Sequence, residues 1–287
     1  MNYKKSIWAE QILALQQSDG SWGHFHTLSR PVKEQPITTE QAMRRLRVLG
    51  FSKEDEPIRR VMCYMEAKLA DPAPTVFHEK KHDSKTYGDL MLAAWLRLFD
   101  PANAPALAVA RQWAQIIEAA FAGGAYDRAA YVAAYEAVIG IKLNPKAGCL
   151  ASFVVFYQIA LLQGVLLPHT ESRMLDYVLS YPNGIAYIYD RPLCAPPEVF
   201  ASRKSSWYLA AIELLAGYAQ AAGKLSFVAG WLRDNRGGDG LWDMGAAAKD
   251  GVYYPLSDTW RRPEDRKLDC TYRIKKLLNA IEGRHMA

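Results

Sequence analysis

His78-Glu79-Lys80-Lys81-His82 has the His-Glu-x-x-His spacing. On a helix this spacing sets two imidazoles on one face for zinc and a carboxylate on the attacking water. The surroundings oppose that chemistry. Pro72 and Pro74 precede it, two lysines stand between the histidines, and no glutamate follows until Glu118. A polar loop before a helix is expected, with no metal. His24 and His26 could act as ligands or acid–base groups, although a His-x-His in a loop is more often solvated. A denser set lies near the C-terminus. Asp258, Trp260, Arg261 and Arg262 precede a helix expected to begin near Pro263, and Asp269 and Tyr272 fall on its early turns. Acid, guanidinium and aromatic groups together could hold a polar head and wall an apolar body. Asp269 near a helix N-terminus is favoured as the carboxylate, which suits binding or electrostatics better than proton donation. Asp269 and Asp258 are therefore the candidate catalytic residues. The competing reading is an Asp–Arg network that fixes a loop. Asp239 with Asp243 is a further carboxylate pair, of the type that carbohydrate-active enzymes use. Gly237-Gly238-Asp239-Gly240 opens no phosphate-binding helix, and no serine nucleophile elbow occurs.

The elements that must position these groups are helices. Over 84–99, Tyr87, Leu90, Met91, Ala94, Trp95 and Leu98 fall on one helical face, with Asp100-Pro101 as the stop. Ile58, Val61, Met62, Met65 and Leu69 repeat the period over 55–69, with Pro57 tolerated in the first turn. Thr38 with Gln41 forms a capping box for a helix reaching about Leu49, where Gly50 ends it. Further helices are expected at about 5–17, 103–121, 126–141, 149–163, 170–181, 203–222, 225–235 and 264–282. Strand signals are nearly absent, and 185–189 alternates only briefly, enough for a short hairpin arm. The longest loops, 185–202 and 237–262, are rich in Pro, Gly and aromatics, and long loops in compact domains are often functional. Short turns make neighbouring helices antiparallel, so the units are helical hairpins in one all-α domain spanning 1–287.

Composition narrows the function classes. The 287 residues are 50% hydrophobic and 23% charged, which excludes a disordered chain. Thirty-five Lys and Arg against 30 Asp and Glu give a net charge of +5, and these basic residues are scattered. No nucleic-acid partner is expected on that balance. Cys63, Cys149, Cys194 and Cys270 form no Cys-x-x-Cys pair and read as buried free thiols in a reducing cytoplasm. The N-terminal apolar stretch is interrupted by Glu10, Gln11, Gln16 and Gln17 and reads as an amphipathic helix rather than a signal peptide. Residues 149–167 are apolar enough to test as a membrane span, but Gln158, Gln163 and Gly164 favour a buried helix, so no transmembrane segment is expected.

One sequence pattern occurs twice. Leu13, then Gln17, then Gly20-Ser21-Trp22 stands near the N-terminus, and Trp231, then Asn235, then Gly240-Leu241-Trp242 near the C-terminus. Physically this is a helix end, a left-handed glycine turn and an indole folding back over the helix. The pattern resembles the QW repeat of the terpenoid cyclase and protein prenyltransferase superfamily. The second copy departs from it, with Asn235 in place of Gln and a longer gap. The resemblance implies an (α/α) toroid of about five to six helical hairpins around a central cavity. It also implies an apolar or isoprenoid-type small-molecule ligand. Ring closure would set Trp22 and Trp242 in neighbouring hairpins. It would line the cavity with Trp22, His24, Trp242, Trp260, Arg261, Arg262 and Tyr272 beside Asp258 and Asp269. The family's Asp-x-Asp-Asp acid and Asp-Asp-x-x-Asp magnesium motif are absent from the sequence, and Asp269-Cys270 lacks the zinc spacing. No cofactor or metal is therefore expected, and the activity stays open between transferase and cyclase. A carbohydrate-active toroid and a non-catalytic binding scaffold remain alternatives.

Overall fold

The computed structural model describes residues 2–26, 33, 36–73, 84–146 and 148–283. Among these, regular structure is helical, and the only bridges are the isolated pairs Val155 with Ala186 and Ile185 with Tyr189. A 3-10 turn at Tyr3–Lys5 leads into α1 (Ile7–Leu13), capped by the Ser6 side chain. In α2 (Thr39–Val48) both hydrogen bonds of the Thr38/Gln41 capping box form. Then follow α3 (Glu56–Ala70), α4 (Ser84–Phe99), α5 (Ala104–Ala120) and α6 (Arg128–Ile139). Each of the last two is capped by the side chain before it, Asn103 and Asp127. Successive members of α3–α6 pack side by side, as short connections dictate.

The apolar run at 149–167 is not one helix. It divides into α7 (Gly148–Ala151) and α8 (Phe156–Leu161), with 152–155 between them outside any helix. There Val154 and Phe156 exchange backbone hydrogen bonds with Ala186. No helix among the described residues is long and apolar enough to cross a membrane. Within the 149–167 run every residue of α8 is buried, as expected of a core helix, and α4 is likewise buried from Leu90 to Leu96 where it packs against α3, α5 and α8. The remaining helices are α9 (Pro168–Ser180), α10 (Arg203–Leu215), α11 (Ala221–Lys224), α12 (Ser226–Asp234) and α13 (Pro263–Ile281). The expected 203–222 helix thus stops early, turning at Ala216–Gln220.

The two Trp turns have one hydrogen-bond pattern, shifted by 220 positions. The Trp22 indole donates to the Ile12 carbonyl at 2.7 Å, and the Trp242 indole donates to that of Leu232 at 2.5 Å. Their backbone N–H groups donate to Thr39 Oγ1 and Thr271 Oγ1. Asp19 and Asp239 accept from the residues just before each Trp. Gln17 N–H bonds to Ser21 O, and Gly237 N–H to Leu241 O. In this register Gln17 corresponds to Gly237, not to Asn235. The amides differ in role: Gln17 Oε1 accepts from Ser21 Oγ, whereas Asn235 Nδ2 donates to Trp231 O in the end of α12.

The chain's two ends meet. Trp8 Nε1 donates to Ser257 O at 2.9 Å, and Tyr3 packs edge-on against Tyr272 with ring centroids 5.2 Å apart. Cys270 is a buried free thiol whose pKa burial raises to about 12, whereas Cys63 and Cys194 are free and exposed, contrary to the expectation of burial.

Candidate ligand cavity

The capping box starts α2 at Thr39, and from there helical spacing sets Glu40 with Arg44, and Gln41 with Arg45, on the face toward the interior. Opposite them lie Asn183–Asp190 and the loop 250–253. Trp8, Gln11 and Ile12 of α1, Tyr157 of α8 and Trp207 of α10 complete the wall. These elements enclose a cavity of about 920 Å³, lined mostly by apolar and aromatic surface. This is within the range of small-molecule sites. Trp207, 37% exposed, is the most open aromatic of its wall.

Glu40 forms the floor. Its Oε1 accepts from Tyr157 OH at 2.9 Å, from Trp95 Nε1 at 3.2 Å and from Arg44 Nη2 at 3.5 Å. Burial, reinforced by the Glu40 charge, pushes the Tyr157 phenol well above its ordinary pKa, so it is a hydrogen-bond donor at all ordinary pH. Arg44 stacks over Phe156, with its guanidinium carbon 4.5 Å from the ring centroid. Burial alone would lower its pKa, but Tyr253 and Glu40 outweigh that and raise it. Tyr87 OH bridges His26 Nε2 at 3.0 Å and Tyr187 OH at 3.3 Å.

Two irregular segments are bent to fit. Tyr187 has φ +71°, a left-handed conformation unusual for a bulky residue, and its carbonyl faces Arg44 at 3.4 Å. Gly184 begins the same turn at φ +58°, where a Cβ would run into the carbonyls of Tyr189 and Arg191. The loop 250–255 is held by Asp250. Its Oδ1 accepts from the N–H groups of Val252, Tyr253 and Tyr254, and its Oδ2 from Ser206 Oγ. Arg45 donates to Val252 O at 2.9 Å and to Pro255 O.

Compared with family models, with curated proteins and with solved structures, the chain matches none. What the site can do must be read from its own residues.

Of the candidate residues of the C-terminal loop, Trp260 bonds Asp269, a structural carboxylate outside the cavity wall, while Asp258, Arg261 and Arg262 lie elsewhere. Asp269 is fully buried. Its Oδ2 accepts from Leu256 N, Ser257 N, Ser257 Oγ and Trp260 Nε1 at 2.7–2.9 Å. Burial and this charge together raise the pKa of the adjacent Tyr3 phenol. Asp258 Oδ1 accepts from Ile7 N at 2.9 Å, anchoring the start of α1. Trp260 is buried against Tyr254, while Arg261 and Arg262 are exposed. Tyr272 borders a smaller pocket of about 370 Å³ with Arg47 and Lys276. Trp22 and Trp242 are buried as helix covers, while His24 is exposed and its carbonyl accepts from Thr39 N. None of these nine residues lines the large cavity.

Asp239 and Asp243 are tied up as well. Asp239 pairs with Lys267 at 2.5 Å, and Asp243 is held by Arg266 through two bonds of 2.6 and 2.8 Å. The Arg266 bond pulls the Asp243 pKa below its ordinary value. His78 and His82 lie outside the described residues. Among the described residues no group of three His, Cys, Asp or Glu side chains could hold a metal ion.

Sequence reading missed Glu40, Arg44, Tyr157, Tyr187, Trp207 and Tyr253. Two signals pointed their way: the Glu40-x-x-x-Arg44 spacing in a well-capped helix, and the two long loops, which supply 185–190 and 250–253 to the wall.

Proposed function

We propose that the chain is a closed (α/α) ring of helical hairpins that binds an apolar, isoprenoid-type small molecule in the cavity between α2 and the 183–190 turn. The observation that carries this reading is a cavity of about 920 Å³ walled by Trp8, Ile12, Ile185, Tyr187, Trp207 and Val252. Such a wall excludes water from a hydrocarbon body and stabilises it by burial. The ring is supported from inside the chain: the Trp turns near its two ends share their indole, threonine and aspartate bonds, and the chain's ends pack on each other. Binding rather than chemistry is the favoured role. Asp250 and Glu40 both accept several hydrogen bonds, and neither is placed as a proton donor.

The test is direct. Purified protein is analysed intact by native mass spectrometry for a bound lipid, then titrated with farnesol while tryptophan emission is followed. Saturable binding that Ala186→Trp abolishes, with melting unchanged, is expected, because Ala186 is an exposed residue of the wall. No bound lipid and no response to farnesol would overturn the reading.

A further inference from the structure

Arg44 is the least satisfied cation of the cavity wall. Its three hydrogen bonds are long: 3.5 Å to Glu40 Oε1, 3.4 Å to Tyr187 O and 3.4 Å to Tyr253 OH. Charge-assisted bonds normally close to about 2.7–2.9 Å. Its Nε is buried with no hydrogen-bond partner. Arg45, one residue on, is better served by two loop carbonyls. A buried guanidinium with unused donors is costly, and a fixed anion would offset that cost.

The surrounding charges limit which anion fits. The wall also carries Glu40, Asp190 and Asp250, against Arg44 and Arg45 alone. A diphosphate would bring two or three further negative charges into that company. A carboxylate brings one, and its two oxygens suit the planar fork of a guanidinium.

We propose that the cavity selects monocarboxylates: an apolar body ending in one carboxylate that bonds Arg44. This rests on the cavity being the ligand site, as argued above. The carboxylate takes donors that now reach Tyr187 O and Tyr253 OH only weakly, while the hydrocarbon lies along Tyr187, Trp207 and Trp8.

Three probes with one hydrocarbon chain test it: farnesoic acid, farnesol and farnesyl diphosphate, each titrated against the full chain at pH 7.5. The acid is expected to bind at least about tenfold more tightly than the alcohol, and more tightly than the diphosphate. In Arg44→Met the ratio of acid to alcohol affinity should fall toward one, whereas general damage to the cavity would weaken both equally. If Arg44→Met does not fold, the same ratio is read in the unaltered protein from pH 7.5 to pH 4, where protonation of the ligand should erase it. Equal binding of acid and alcohol would overturn the carboxylate selectivity and leave the lipid cavity standing. A preference for the diphosphate would overturn it too. Failure of all three to bind would remove the cavity reading itself.

Discussion

Asp269 shows how one residue type can serve opposite roles. An acid early in a helix beside Arg, Trp and Tyr resembles a site, but its Oδ2 accepts four bonds from loop 256–260 at 2.7–2.9 Å. Its charge is used to stop a loop from moving. Asp269→Ala would leave these buried donors without an acceptor, at a cost of roughly 3 kcal/mol or more. The expected outcome is a fall in melting temperature of about 6–12 °C, measured by calorimetry. Farnesol affinity per folded molecule should stay within about twofold, since Asp269 lies outside the cavity wall. Selective loss of ligand binding with unchanged melting would return Asp269 to the site.

At the scale of elements, the cavity depends on one helix and two irregular segments. The helix α2 is stiff and locally encoded, because both bonds of its capping box form. The 184–191 turn is encoded by glycine. Gly184 at φ +58° lets the carbonyls of Tyr189 and Arg191 approach closer than any Cβ allows, and Tyr187 accepts its own left-handed backbone three residues later in the same turn. Gly184→Ala should therefore cost more than about 1 kcal/mol and displace the Tyr187 wall. The expected outcome is weaker binding of farnesol together with lowered melting, whereas Gly50→Ala, where a Cβ meets open space, should show only the second.

At the scale of the molecule, the first eight residues and the last helix depend on each other across about 250 positions of sequence. Trp8 and Ile7 bond to Ser257 and Asp258, and Tyr3 packs on Tyr272. Contacts of such separation contribute nothing until the rest of the chain is folded. Deleting residues 2–8 should accelerate amide hydrogen exchange at 255–262 by at least about tenfold, while the α4–α5 pair keeps its protection. Unchanged exchange at 255–262 would show that the ends do not support one another.

The sequence by itself determined the helical class, the position of most helices and the two Trp turns. These are local matters: a 3.6-residue apolar period, a Thr38/Gln41 cap and a glycine that turns left are each complete within a few residues. It also marked the two loops that form part of the cavity wall. Only the tertiary structure decided that the 149–163 run breaks at 152–155, because the backbone partners at Ala186 lie some thirty residues away. Only the tertiary structure separated Asp269 from Glu40. Both are acids on the early turns of helices, and both are fully buried. One meets the backbone of a loop and the other meets an arginine at the floor of a cavity. Which surroundings a carboxylate receives depends on contacts across most of the chain, and no spacing within a helix records them.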